Sequence, residues 1–158
     1  MKPILEIKNL KTHFFKKEGI VKAVDDISFH INAGEIVGLV GESGSGKTIT
    51  GFSIMGLVDA PGKIVSGNIV FKDIDLRNIS PKQMQDVRGN RIAMIFQDPM
   101  MTLNPVLRIQ TQMMETIKAH DKKISNQEAY DKCRDALGLV GISSPDERMK
   151  AYPHQFSG

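Results

Sequence analysis

Gly41-Glu42-Ser43-Gly44-Ser45-Gly46-Lys47-Thr48 is the stretch on which the reading of this chain turns. Its spacing is G-x-x-x-x-G-K-[ST], and it follows a short apolar run, Glu35–Val40 (EIVGLV), and opens a helical apolar pattern from Ile49 to Val58. A buried strand, a glycine loop and a helix in that order make an anion cradle. The glycines at 41, 44 and 46 let the backbone curl, so that successive N–H groups converge on phosphate oxygens. The helix adds roughly half a positive charge at its N-terminus. Lys47 is placed to reach the β- and γ-phosphates, and the Thr48 hydroxyl to hold Mg²⁺. Gly41, Ser43, Gly44, Ser45, Gly46, Lys47 and Thr48 are therefore the nucleotide-binding candidates.

Working outward, Ile4–Leu10 alternates, with Leu5 and Ile7 on one face and Glu6 and Lys8 on the other. Val21–Ile31 repeats this, with Ile27, Phe29 and Ile31 opposed to Ser28 and His30. Both predict half-buried antiparallel strands. Glu35–Val40 and Arg91–Phe96 are continuously apolar at their cores, which predicts central strands covered on both faces. Gly67–Leu76 predicts a further amphipathic strand. Ser80-Pro81-Lys82-Gln83 predicts a capped helix start, as do Ser125-Asn126-Gln127-Glu128 and Ser144-Pro145-Asp146-Glu147. Helical patterns cover Val106–His120 and Asn126–Val140. The methionines of this last third (Met100, Met101, Met113, Met114 and Met149) read as helix-packing core, with an adaptable docking face as the alternative.

The 158 residues amount to about one domain at ~150 residues per domain. Apolar and charged fractions of 41% and 25% exclude a disordered tail or a fibre. The net charge of +3 is scattered, so composition does not point to nucleic acid. A single cysteine, Cys133, excludes an internal disulfide and a zinc site built on cysteine pairs. The four histidines lack metal-ligand spacing. No apolar run reaches ~18 residues, and Glu6 and Lys8 interrupt any signal-like stretch, which predicts a cytosolic compartment.

Two further motifs compete for attention. Asp59-Ala60-Pro61-Gly62 has the D-x-x-G form of a GTPase switch, but it lies too close to Lys47, and no N-K-x-D guanine reader accompanies it. A helix-terminating turn explains it. Ile92–Phe96 leads towards Asp98 as a magnesium-holding carboxylate would require, yet Gln97 ends the apolar run and Asp98-Pro99 begins a turn.

Beyond the loop, the chain resembles the ATP-binding subunits of ABC transporters along essentially its whole length. Leu10-Lys11-Thr12-His13-Phe14 resembles the loop whose aromatic residue stacks on adenine, with Phe14 at that place and Phe15 its rival. Val24-Asp25-Asp26-Ile27-Ser28-Phe29 resembles the strand leading to the phosphate loop. Met94-Ile95-Phe96-Gln97-Asp98-Pro99 is similar to the Q-loop. Tyr152-Pro153-His154-Gln155-Phe156-Ser157-Gly158 resembles the start of the family signature, with Phe156 at the usual leucine. The run Phe96–Pro105 and the Tyr-Pro-His-Gln-Phe-Ser ending are similar to the dipeptide, oligopeptide and nickel importer branch, which points to peptide uptake.

The resemblance implies roles that the chemistry permits. Phe14 would stack on the base, its alternative being a core phenylalanine of the first strand. Gln97 would orient water and approach Mg²⁺ through a neutral amide, making it the catalytic candidate and, beside Thr48, a metal candidate. Its alternative is a polar cap on a strand end. Ser157 and Gly158 would present a hydroxyl and an N–H to the γ-phosphate held by a second subunit, or be a frayed terminus. The implied fold is α/β: an incomplete P-loop NTPase core of the ABC ATPase type, with an N-terminal antiparallel β subdomain and a helical subdomain. Residues 1–98 would form the first part and 99–158 the helical part.

The family's Walker B aspartate, catalytic glutamate, D-loop and switch histidine have no counterpart in these residues. Weak Mg-ATP binding, little hydrolysis and an unpaired apolar sheet edge prone to self-association are the expectation. The implied cofactors are ATP and Mg²⁺. The implied partners are a second ATP-binding subunit, in a homo- or hetero-dimer, transmembrane permease subunits and, indirectly, an extracytoplasmic substrate-binding protein. The implied place is peripheral, at the cytoplasmic face of the cell membrane. Rival readings are a small P-loop kinase and a non-hydrolysing nucleotide-binding regulatory module.

Overall fold

The computed structural model describes residues 2–97 and 102–156. Asp98, Met100, Met101, Ser157 and Gly158, singled out above, lie outside the described residues. The chain divides into two compact units, residues 1–94 and 95–158.

In the first unit β1 (Leu5–Lys16), β2 (Gly19–Ile31), β3 (Gly62–Phe71) and β4 (Ile74–Asp75) form one antiparallel sheet in the order β2-β1-β3-β4. The alternation read from the sequence holds at its start: Leu5 and Ile7 are buried and Lys8 is exposed. β1 then runs past Leu10 because a bulge resets its parity. Asn9 and Asp26 sit side by side in left-handed backbone (φ 49° and 66°), and Asn9 Nδ2 donates to Asp26 Oδ1 at 3.0 Å. Beyond the bulge it is Leu10 and Thr12 that turn inward, both fully buried.

Gly67–Leu76 is a hairpin rather than one strand. Lys72 and Asp73 both have positive φ (45° and 72°), the geometry of a two-residue type I′ turn, and no Asn-Gly pair advertised it. α2 (Pro81–Val87) starts as expected, with Gln83 N donating to Ser80 Oγ at 3.3 Å and Ser80 N to Gln83 Oε1 at 2.9 Å. It lays Met84 and Val87 against Leu5, Ile7, Ile69, Phe71 and Leu76. Complete burial of Ile7, Leu10 and Ile69 is worth about 1.5–3 kcal/mol each.

α1 (Lys47–Ile54) packs Ile49 and Ile54 against this core and adds a buried polar contact. Ser53 Oγ donates to Ile49 O at 2.7 Å, so its single proton is used, and the Thr12 hydroxyl donates to Ser53 Oγ at 2.8 Å. Ser53→Ala would strand a fully buried hydroxyl. It is expected to destabilise the unit by about 1–3 kcal/mol in chemical denaturation, with most of the loss recovered by adding Thr12→Val. Equal midpoints for Ser53→Ala and wild type would contradict this pairing.

The two apolar runs are corrected by the structure. Residues 35–40 form no strand, and Ile36 and Val40 are 99% and 94% exposed. Residues 91–96 make a single bridge, Ile92 with Arg88, and Ile95 is 91% exposed. A parallel strand is defined by its neighbours, and no described residue pairs with 35–40. An apolar run states a tendency to be covered and does not itself supply the cover.

The second unit packs α3 (Ile109–His120), α4 (Asn126–Leu139) and α5 (Pro145–Lys150), followed by a 3₁₀ turn, Pro153–Gln155. Cys133, Leu137 and Met149 are its buried core, with Met113, Met114, Ile117, Tyr130 and Phe156 packed around them. Of the described methionines in this unit, all three are therefore packing residues. α3 starts later than Val106, because Val106 N donates to Asn104 Oδ1 (3.1 Å) in a turn. Ser125 caps α4 reciprocally with Glu128, and hydrogen bonds from the Ser125 side chain and backbone hold the Glu128 carboxyl below its ordinary value. The box expected at Ser144 is absent. Ser144 is left-handed (φ 50°), its side chain makes no cap bond, and Glu147 N turns instead to the Ser144 carbonyl at 3.0 Å.

Candidate functional site

The loop between residue 40 and α1 is shaped by backbone rather than side chains. Ser45 N bonds Glu42 O at 3.2 Å, closing a tight turn. Gly46 then sits at the head of α1 with φ 90° and ψ 3°. A Cβ at this position would lie 2.1 Å from the Ala23 carbonyl oxygen, so the loop rests directly on the β2 backbone. The sequence places Val24 on a strand before the loop but carries no sign of this contact, which only the approach of distant segments creates.

α1 has no side-chain cap and no acidic residue in its first turn. Its first intrahelical bond is Thr50 N to Gly46 O at 2.8 Å, leaving the N–H groups of Lys47, Thr48 and Ile49 to look for acceptors. Most helices recruit a serine, threonine, aspartate or asparagine there. This one instead ends in an array of donors reinforced by the helix dipole and an ammonium group.

That ammonium is folded back on the loop. Lys47 Nζ donates to Gly41 O and Glu42 O, both at 2.6 Å, and to Ser45 Oγ at 3.3 Å. Its three protons are satisfied by weak, neutral acceptors in an exposed setting. A polyphosphate would compete for them with full negative charge, and charge-assisted bonds are the stronger ones. The Thr48 hydroxyl is in the exposed first turn, open to a hydrated cation. Uncapped amides, a lysine held only by carbonyls and a hydroxyl, and a free threonine together fit a Mg-polyphosphate.

The aromatic pair separates cleanly. Phe14 is half-buried on the same side of β1 as Thr12, opposite Gly62, and a Cβ on Gly62 would come within 2.7 Å of its ring. Phe15 is 44% exposed. Close by, Asp25 draws Lys22 (3.3 Å), His13 (3.7 Å) and Lys11 (3.8 Å), and the Lys22 hydrogen bond leads in holding its carboxyl below the ordinary value. Phe14 and Gly41–Thr48 belong to the first unit; Gln97, exposed, belongs to the second.

The family model described as ABC transporter matches residues 24–158. The oligopeptide transport ATP-binding protein AppD of Bacillus subtilis is 48% identical over all of this chain and 48% of its own length. The dipeptide transport ATP-binding protein DppD of Escherichia coli is 43% identical over 98% of this chain and 47% of its own. The chain thus spans about half the length of the curated relatives it matches. Among solved structures, the dimeric MJ0796, a bacterial ABC transporter cassette, superposes with a TM-score of 0.81 at 24% identity. The superposition covers 98% of this chain and 63% of that one, which shows the fold.

Proposed function

The chain belongs to the ABC transporter family, and from that premise we propose that it is the phosphate-binding part of an ATP-binding subunit that powers uptake of di- and oligopeptides. The carrying observation is the uncapped head of α1 with Lys47 folded over the loop beside it. The donors would take the β- and γ-phosphates, and Phe14 or its neighbour Phe15 the adenine. Thr48 and Gln97 would hold Mg²⁺, which neutralises charge on the phosphates. Gln97 would also orient the attacking water.

Two such subunits would enclose ATP, with Ser157 and Gly158 of each facing the γ-phosphate bound by the other. Closing and reopening of that pair would move transmembrane permease subunits, fed by an extracytoplasmic peptide-binding protein. The relatives named for oligopeptide and dipeptide transport support peptides as cargo. Among the described residues no helix is long and apolar enough to cross a membrane. The subunit would attach peripherally, through its permease partners, at the cytoplasmic face. The kinase alternative needs a mobile arginine lid, and Arg88 is committed to backbone carbonyls of the first unit at 2.7 and 2.6 Å.

Isothermal titration and phosphate release test the reading. The 158-residue chain is expected to bind Mg-ATP and a non-hydrolysable analogue with similar affinity. Phosphate release is expected to run far below that of a full-length relative, because Gln97, a neutral amide, can orient water but cannot take its proton. Absence of binding to either nucleotide would reject the proposal.

A further inference from the structure

α1 is clamped at the end away from the phosphate loop. Its C-terminus closes with Gly56 N to Ser53 O (3.2 Å) and Leu57 N to Phe52 O (2.8 Å), the paired bonds of a Schellman ending. Two carbonyls just beyond remain, and a residue distant in sequence takes both: Arg88 Nε donates to Met55 O at 2.7 Å and Nη2 to Gly56 O at 2.6 Å. The backbone of Arg88 is itself anchored. Its N–H closes α2 on Met84 O at 3.0 Å, and it bridges Ile92 at the start of the segment that continues to Gln97.

We propose that Arg88 is a positioning residue for the phosphate site: its guanidinium fixes the far end of the helix whose near end carries Lys47 and Thr48. The proposal rests on the nucleotide-binding reading above. An eight-residue helix is about 12 Å long, too short to absorb a tilt at one end without passing it to the other. The cation also sits at the negative end of the helix dipole, reinforcing the positive end that faces the loop. Both acceptors are carbonyls, so Arg88 keeps its full charge for this purpose. A lysine would retain the charge but not the two-pronged geometry, and a glutamine would retain neither.

The test compares Arg88→Lys and Arg88→Gln with wild type by ATP titration, well below each variant's melting temperature. Hydrogen exchange of the α1 amides is followed on the same samples. Arg88→Gln is expected to bind ATP roughly fivefold more weakly and Arg88→Lys roughly twofold, with faster exchange in α1. A purely structural role would lower the melting temperature and leave the affinity of the folded protein unchanged, which overturns the proposal. Should Arg88→Gln fail to fold, Arg88→Lys decides by the same two readouts. If wild type binds no ATP, the functional reading fails separately. Unchanged α1 exchange in the variants would then overturn the clamp, and faster exchange would support it.

Discussion

Lys47→Ala is expected to lower ATP affinity by roughly two orders of magnitude while leaving the melting temperature nearly unchanged. The ammonium would exchange three contacts with neutral oxygens for contacts with charged phosphate oxygens. Each charge-assisted bond is worth about 1.5–3 kcal/mol, and a net 2.7 kcal/mol is about a hundredfold in affinity. Two effects of the substitution oppose each other. Alanine removes the work of detaching Lys47 from Gly41 O and Glu42 O, which favours the ligand. It also leaves both carbonyl dipoles facing the incoming anion, which does not. The second effect prevails, because a carbonyl without its cation repels phosphate as well as failing to attract it. Stability changes little because the contacts lie in an exposed loop outside the sheet core. Isothermal titration and a thermal melt on the same sample separate the outcomes. Unaltered affinity would remove the basis for treating residues 41–48 as a phosphate cradle.

The parts of the molecule legible in the sequence are those governed by local chemistry. Ser80 and Gln83, like Ser125 and Glu128, bond each other across three residues, so spacing alone announces them. The glycine loop is legible for the same reason: an anion needs amides, a helix head and a cation close together along the chain. Relations that span the fold were not visible. Phe14 shares the face of Leu10 and Thr12 because the Asn9–Asp26 bulge shifts β1 by one residue; on the parity of Leu5 and Ile7, Phe15 would have done so. The Arg88 clamp joins positions 32 and 33 residues apart. No local pattern singles Arg88 out from Arg91 or Arg108. Ile36, Val40 and Ile95 carry the composition of covered strands, but cover depends on neighbours the segments themselves do not encode.

Gly46→Ala carries the second large effect, and Gly44→Ala is its control. Both glycines have left-handed backbone, φ 90° and 81°. An alanine at either therefore meets a similar conformational penalty of about 1–2 kcal/mol. Their surroundings differ. A Cβ at position 44 meets nothing within 4 Å, whereas at 46 it lies 2.1 Å from the Ala23 carbonyl oxygen. A carbon and a carbonyl oxygen settle no closer than about 3.3 Å, so the head of α1 must lift off β2 by roughly 1 Å. The oxygen has little room to give way, because Lys22 and Val24 on either side of Ala23 are paired with His13 and Thr12. Lifting moves the Lys47, Thr48 and Ile49 amides together, and a displacement of that size destroys the convergence on which phosphate binding depends. Gly46→Ala is accordingly expected to weaken ATP binding at least a hundredfold, and Gly44→Ala no more than about tenfold. Circular dichroism should show the β-sheet intact in both, since β1, β3 and β4 are untouched. Equal affinities for the two variants would mean that strain alone governs the loop and that its seat on Ala23 is incidental to binding.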